Sequence, residues 1–463
     1  MPDQAIFKTV GRLADESNLE VFAVGGYVRD KLFGKEIKDV DFVVVGDGPE
    51  FARKVARQLK AKGVVVFEKF GTARLDLPDH QLEFVGARRE SYAENSRKPT
   101  VAQADLTADL SRRDFTINAM AMGLNRHNFG EIIDPFGGQT DLLRKIIHTP
   151  LDPEVTFNDD PLRILRAIRF ATVLGFKIEK KTKAAISATR HRLSIVSQER
   201  ITDELMKILA ATKPSTGFLL MDETGLLEIL LPEIVAMKGI EQIGVYHHKD
   251  VFDHTLKVVD NVAAVSDKLP LRFTALFHDI AKPRTKAFKE GQGWTFHGHD
   301  EIGARMLVGL CRRLKLPNDL LVYAQKLLRL HLRPIQVADE EVTDSAIRRM
   351  LVQGGEDLED LLLLCRADIT SGNPRRVQQH LANFDYVVQR LHEVEEKDKM
   401  RAFQSPVRGD EIMQVCGIPP GPQVGKLKKI IEEAILEGEI PNEHDAAYEY
   451  LLKIKDGVLT EGS

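Results

Sequence analysis

Apolar positions recur along this chain with two different periods, and the switch between them predicts its elements. Val21–Val24 is a short apolar run that stops at Gly25-Gly26, the pattern of a buried strand. A turn of amphipathic helix follows over Tyr27–Phe33, and Asp39–Val45 reads as a second strand. Residues 1–20 read as a helix leading into the first strand. Phe51, Val55 and Leu59 recur at spacing four within a helix over Pro49–Lys62, and Val64–Phe70, Ala73–Leu77 and Gln81–Val85 read as strands. Ala87–Thr107 is polar and is expected to be a mobile functional loop. The stripe Phe115, Ala119, Met122 predicts a helix over Ser111–Leu124, with Arg112, Arg113 and Asp114 at its start. Phe157–Phe176 reads as a helix with Asp160 as cap, Pro161 in its first position and Leu162, Leu165 and Ile168 facing the core. Lys213–Gly239 is an apolar helical connector. The charged stretch up to Arg401 is helical, and a PPGPxxG turn separates two helices of the tail, the second over Lys426–Leu436. The fold class expected is an α+β head with a small mixed sheet, followed by a predominantly α-helical remainder.

Composition adds bounds. The 463 residues suggest roughly two to four domains. No apolar run approaches membrane-spanning length, and MPDQAIFKTVGRLADE lacks a signal-peptide pattern, so a cytoplasmic location without membrane contact is expected. Cys311, Cys365 and Cys416 are too few and too scattered for a disulfide or zinc framework. The net charge of −4 excludes a generic polyanion binder, yet Pro161–Arg200 carries ten Lys/Arg against two Glu. That local excess suits a phosphate backbone. No stable protein partner is implied.

The candidate chemistry starts in the second strand. Side chains alternate faces there, so Asp39 and Asp41 point one way while Val40 points into the core. Two carboxylates on one face can share divalent cations, and a two-glycine turn just before them lets backbone N–H groups approach a triphosphate. An isolated DxD more often marks solvated aspartates; the paired glycines favour the metal reading. Glu83, between Leu82 and Phe84, is either a third carboxylate or a surface glutamate. The Arg112-Arg113 pair suits phosphate or ribose, or a surface ion pair. Asp160 and Arg163 lie on one turn, where they form either a cap with an ion pair or a reader of a base edge.

GGYVRD with DVD, then RRDFTINAMA, then DDPLRILRAIRFA, in this order, resembles the class II tRNA nucleotidyltransferase and poly(A) polymerase family, a branch of the DNA polymerase β superfamily. The resemblance runs from about Val21 to Leu209 and ends in QERITDELMKIL, similar to the family's neck. It implies that Gly25 and Gly26 hold the triphosphate, with Arg29 and Asp30 supporting the turn. Asp39 and Asp41 would bind Mg²⁺, with Glu83 as a further catalytic carboxylate. Arg113, Asp114 and Asn118 would contact the nucleotide, and Asp160 and Arg163, with Arg166 beside them, would select the base of CTP or ATP. The family usually has Glu-Asp before Pro-Leu-Arg, and this chain has Asp159 in the first position.

The second half resembles the HD metal-dependent phosphohydrolase domain through His254, the doublet His278-Asp279, His299, His331 and Asp368, in that order. His297 is a further candidate. The resemblance implies a second divalent metal (Mn²⁺, Ni²⁺, Fe²⁺ or Mg²⁺) and a bound water as nucleophile. The expected division is a nucleotidyltransferase head (1–150), a helical nucleotide- and tRNA-binding neck (151–245), the HD domain (246–375) and a helical tail (376–463). The tail's PPGPxxG corner either holds an RNA phosphate or simply joins two helices. The function implied is template-independent addition of CCA to tRNA from CTP and ATP. GARRESYAENS (Gly86–Ser96) is similar to the flexible loop of CCA-adding members, with Arg88, Arg89 and Glu90 as its candidates. Poly(A) polymerase members tend instead to carry an RRF-containing strand. The remaining alternative is an HD phosphohydrolase with an RNA-binding N-terminal half.

Overall fold

Alternation of buried and exposed positions sets the centre of the head. In strand β2 (Asp39–Val45), Val40, Phe42, Val43 and Val44 are buried while Asp39 and Asp41 remain exposed. The computed structural model describes residues 2–460, apart from 35–36, 38, 69–70, 92–99, 245–246, 291–292, 340–342, 371–372 and 399–403. Contacts divide the chain into two units, Met1–Pro232 and Glu233–Ser463.

The head sheet also contains β1 (Glu20–Val24), β3 (Val64–Phe67), β4 (Thr72–Asp76) and β5 (Gln81–Gly86). A hairpin of β6 (Arg88–Ser91) and β7 (Thr100–Gln103) stands apart, and β8 (Ala121–Gly123) and β9 (Ile132–Ile133) complete the sheet in the order β3-β4-β5-β2-β1-β8-β9. β2 and β5 pair in parallel, while the other pairings in this sheet are antiparallel. On one face, Phe7, Val10 and Ala14 of helix Pro2–Glu16 and Phe51 and Val55 of helix Gly48–Leu59 cover Val21, Phe42, Val44, Leu82 and Phe84. Phe42 stacks on Phe84 at 4.7 Å across the parallel pair. Both rings are fully buried, so Phe42→Ala should cost about 3–5 kcal/mol and loosen the strand that carries the aspartates. On the other face, Phe22, Val24, Val43, Leu110, Ala119 and Ala121 form a smaller core next to the carboxylates.

Two expectations need correction. Ser111–Leu124 is not one helix: a short helix ends at Ser111, Thr116–Asn118 is a single 3₁₀ turn, and Ala121–Gly123 is β8, paired with β1. Every residue from Asp114 to Leu124 is buried, so the apolar stripe has no polar face against which its period could be read. The polar segment 87–107 is also not one loop. Its flanks pair as β6 and β7, and its centre, residues 92–99, lies outside the described residues, as do the side chains of Arg89 and Glu90.

After the head, helices Pro153–Asp159, Leu162–Leu174, Lys180–Thr189 and Gln198–Leu209 continue the first unit. The second unit is helical, with small hairpins at Glu241–Gly244/His247–Asp250 and Ala287–Lys289/Gly293–Thr295. The tail helices Gly409–Cys416 and Pro422–Glu437 flank the expected corner. No helix among the described residues is long and apolar enough to cross a membrane.

Candidate active sites

The parallel register aligns Asp41 with Glu83. Partners in adjacent strands share a face, so Glu83 becomes the third carboxylate beside Asp39 and Asp41. Gly25 turns the chain out of β1 at φ 68°, a conformation that favours glycine. A Cβ there would lie 3.0 Å from Arg113 Nη1 and 3.8 Å from Asp41 Oδ2, so the missing side chain keeps this approach open. A cleft of about 240 Å³ is lined by Asp41, Glu83, Thr72, Arg88, Arg112 and Arg113. Desolvation in this cleft raises the pKa of Asp41, with Arg113 opposing and Asp39 adding to the rise. Desolvation also raises Glu83, and the charge on Asp41 adds to it. Open, oxygen-only donors that repel one another fit hard divalent cations.

A buried hydrogen-bond network carries the nucleotide-binding candidates. Arg29 follows the glycine turn and donates to both carboxylate oxygens of Asp30, at 2.8 and 2.7 Å, and to Asn118 Oδ1 at 2.7 Å. Asn118 donates to Asp114 Oδ1 at 3.0 Å, and Arg166 donates to Asp114 Oδ2 at 2.8 and 2.6 Å. Burial by itself would raise Asp114, but Arg166, Asn118 and Arg163 outweigh it and hold the carboxyl at about 2. Asp114 therefore pairs with Arg166 while also lining the pocket that Arg166 borders.

Asp109 is a residue that motif reading missed. It is fully buried, accepts from Arg112 Nε at 3.0 Å and from Arg113 Nη2 at 3.1 Å, and also bonds the backbone N–H of Arg88. Arg112 Nε also lies 3.1 Å from the Arg88 carbonyl, so one carboxylate links both arginines to the base of the β6–β7 hairpin. The clue in the sequence is its spacing of three and four residues before two arginines on a helical turn.

Asp160, Arg163 and Arg166 line a second pocket of about 230 Å³ with Arg112, Arg113, Asp114 and Arg200. Asp160 is the C-cap of the helix Pro153–Asp159, and Pro161, not Asp160, is the N-cap of Leu162–Leu174, although Asp160 Oδ1 accepts the Leu162 N–H at 3.3 Å; its carboxylate lies 3.7 Å from Arg200. Arg163 donates to the backbone carbonyls of Arg112 (2.6 Å) and Thr156 (3.3 Å). The basic surface expected of Arg169 is partly spent inside, where it pairs with buried Glu204 at 2.6 Å.

In the second unit, six residues converge as two triads: His254, His278 and Asp368, and Asp279, His299 and His331. His297 is exposed and belongs to neither. The Nδ1 atoms of His278, His299 and His331 each face a backbone carbonyl, of Ala275, Phe296 and Leu328, at 2.8, 2.7 and 2.6 Å. Each bond fixes the tautomer that leaves Nε2 free to ligate. His254 presents Nδ1 to Thr370 Oγ1 at 2.9 Å and Nε2 to Asp368 at 2.8 Å. His278 Nε2 and both Asp279 oxygens are buried without a well-aligned hydrogen bond, although Lys282 Nζ lies 2.7 Å from Asp279. Burial keeps His254, His299 and His331 low, the last at about 4, so these imidazoles stay neutral. Burial would raise Asp279 and Asp368 too, but the surrounding cations hold both well below the usual carboxylate range. Three neutral imidazoles and His278, which against its burial Asp279 and Asp368 raise to about 10 and which a bound cation would deprotonate, surround ionised carboxylates; with the orphaned donor atoms, this set fits divalent metals.

Three stretches of the chain match known families. Residues 21–148 match the Poly A polymerase head domain, 175–237 the "Probable RNA and SrmB- binding site of polymerase A", and 251–373 the HD domain. The A-adding tRNA nucleotidyltransferase of Deinococcus radiodurans is 32% identical over 432 residues, covering 91% of this chain and 93% of that protein. The Multifunctional CCA protein of Nitrosococcus oceani is 34% identical over 363 residues, covering 76% and 84%. A crystal structure of a tRNA nucleotidyltransferase complexed with a primer tRNA and an incoming ATP analog is 28% identical, with a TM-score of 0.59 and coverage of 82% and 99%.

Proposed function

This chain belongs to the tRNA nucleotidyltransferase and poly(A) polymerase family, and from that membership we propose that it builds the CCA end of tRNA from CTP and ATP. The observation that carries the reading is the placement of Asp41 beside Glu83, with Gly25 and Arg113 against the same cleft. In the reaction, the primer 3′ oxygen attacks the α-phosphorus, the bond to the β-phosphate oxygen breaks, and pyrophosphate leaves. Asp39 and Asp41 would hold Mg²⁺, which when bound would supply activation of the attacking oxygen and neutralisation of the leaving pyrophosphate. Gly25 and Gly26 bring bare backbone against the triphosphate, and Arg113 contributes charge there. Arg29, Asn118, Asp114 and Arg166 hold the turn and the neck in register. Asp160 and Arg163 present an acceptor and donors to the base edge. The division into head, neck, HD domain and tail at 150, 245 and 375 is part of this reading, as is action in the cytoplasm on tRNA. The basic neck of residues 161–200 supports the tRNA contact.

Incubating the protein with Mg²⁺ and tRNA lacking its 3′ end, with CTP, ATP or both, and sequencing the product ends tests the reading. CCA ends support it. Addition of a single A only to tRNA already ending in CC would assign the specificity in the Deinococcus relative's name, and long A tails would assign poly(A) polymerase.

A second reading concerns the other unit. The paired triads support metal-dependent phosphoester hydrolysis, with 2′,3′-cyclic or 2′-phosphates as candidate substrates. Hydrolysis of 2′,3′-cyclic AMP by the Mn²⁺- or Ni²⁺-loaded protein, lost in His278→Ala, tests it.

A further inference from the structure

The hairpin Ala287–Lys289/Gly293–Thr295 carries chemistry that the His/Asp centre does not use. It grows out of that centre at both ends. The short helix Lys282–Thr285 follows Asp279 directly, and Thr295 stands four residues before His299. Phe296, between them, supplies the carbonyl that orients the His299 ring. On the hairpin, Phe288 and Trp294 are register partners whose rings meet edge to face at 5.4 Å. Phe288 is 65% exposed and Trp294 38%, although neither is needed to close a core. Lys286 Nζ lies 4.5 Å from the centre of the Trp294 ring.

An uncovered aromatic pair alone does not say what covers it; the surrounding charge does. Residues 282–295 hold Arg284, Lys286 and Lys289, besides Lys282 which pairs with Asp279, against the single acid Glu290. Aromatic faces interleaved with cations are what single-stranded nucleic acid requires, since bases stack on rings and phosphates meet the cations. The buried centre of a protein–protein interface is instead depleted of lysine. His299 is five positions after Trp294, so their Cα atoms are at most about 18 Å apart, within reach of a short single strand.

We infer that this hairpin is a stacking platform that seats the single-stranded 3′ end of an RNA and presents its terminal phosphate to the His/Asp centre. The fate of that phosphate rests on the phosphohydrolase reading; the binding does not. Trp294 is the only tryptophan in the chain, so its fluorescence reports on the hairpin alone. A short oligoadenylate ending in a 2′,3′-cyclic phosphate should quench it saturably in the metal-free protein, and Phe288→Ala or Lys286→Gln should shift the midpoint upward, about tenfold for the ring. In Trp294→Ala, the preference of the Mn²⁺-loaded protein for this oligonucleotide over bis-p-nitrophenyl phosphate, a base-free diester, should fall by a similar factor, and Trp294→Phe should restore it. No quenching, or an unshifted midpoint in Phe288→Ala, overturns the platform even when the base-free diester is hydrolysed. If the Mn²⁺-loaded wild type leaves 2′,3′-cyclic AMP intact, the phosphohydrolase reading fails and the quench still decides the platform. A spectral change that follows protein concentration without oligonucleotide would put a second copy on the hairpin and also overturn it.

Discussion

Asp41 and Glu83 are register partners in the parallel pair β2–β5, and desolvation raises the pKa of both, against Arg113 at Asp41 and with the charge of Asp41 adding at Glu83. A carboxyl whose folded pKa exceeds its unfolded value costs stability as the pH climbs from the unfolded pKa through the folded one. At neutral pH, without metal, the pair therefore opposes folding. Asp41→Asn should raise the melting temperature of the metal-free protein in EDTA while lowering CTP incorporation at least about a thousandfold. Glu83→Gln should show the same split with a smaller loss, about tenfold. Thermal melts alongside incorporation assays check this. A variant that loses activity and also melts lower would show the carboxylates to be structural.

Asp114 behaves in the opposite way. Its folded pKa of about 2 lies below the usual value, so its contribution is fully present above pH 4 and is lost as the pH falls towards 2. Asp114→Asn leaves Arg166, which is one-third exposed, without its bidentate acceptor. The cost at pH 7 should be about 2–3 kcal/mol, below the range for a fully buried broken pair because water reaches the arginine. Urea unfolding at several pH values should show the gap between wild type and variant closing through that acid window.

These carboxylates also mark how much the sequence discloses. Period-two alternation alone puts Asp39 and Asp41 on one face, because Val40 and Phe42 have to be buried. It leaves Glu83 open, since nothing local says that β5 lies parallel to β2 and in register with Asp41. The segment from Asp114 to Leu124 misleads because it is buried all round, and a period is visible only where one side meets water. The order of the six His/Asp residues points to one cluster, whereas the carbonyls of Ala275, Phe296 and Leu328 that aim three of the imidazoles have no sequence signature.

Asp109 makes a sharper test of how the arginines are held. One buried carboxylate fixes Arg112 and Arg113 and touches the backbone of Arg88. Asp109→Asn keeps the shape but removes the charge, and the guanidinium groups then lose their shared anchor. Nucleotide KM should rise about tenfold or more, corresponding to loss of one charge-assisted hydrogen bond of about 1.5–3 kcal/mol. Metal activation should keep its midpoint, because Asp39 and Asp41 are untouched. A change in the Mg²⁺ midpoint with unaltered KM would contradict the assigned role.

The two proposed activities should separate cleanly by metal. Asp279 sits between the triads, with Oδ2 3.2 Å from His278 Nε2 and Oδ1 3.5 Å from His299 Nε2. One side chain thus faces both candidate ion positions, and its loss should empty both. The metal-free centre compensates internally: burial opposes charge on His278, but Asp279 and Asp368 outweigh it and raise that imidazole. A bound cation takes over that role and stabilises the second unit by mass action, about 2.7 kcal/mol at a hundredfold excess over Kd. In wild type, Mn²⁺ added to chelator-stripped protein should raise the melting temperature and start phosphodiester hydrolysis. Asp279→Ala should lose both responses yet retain CCA addition when Mg²⁺ is returned. If CCA addition fell in parallel with Mn²⁺ binding, the two sites would not be separate, and the division of labour between Asp41 and Asp279 would have to be abandoned.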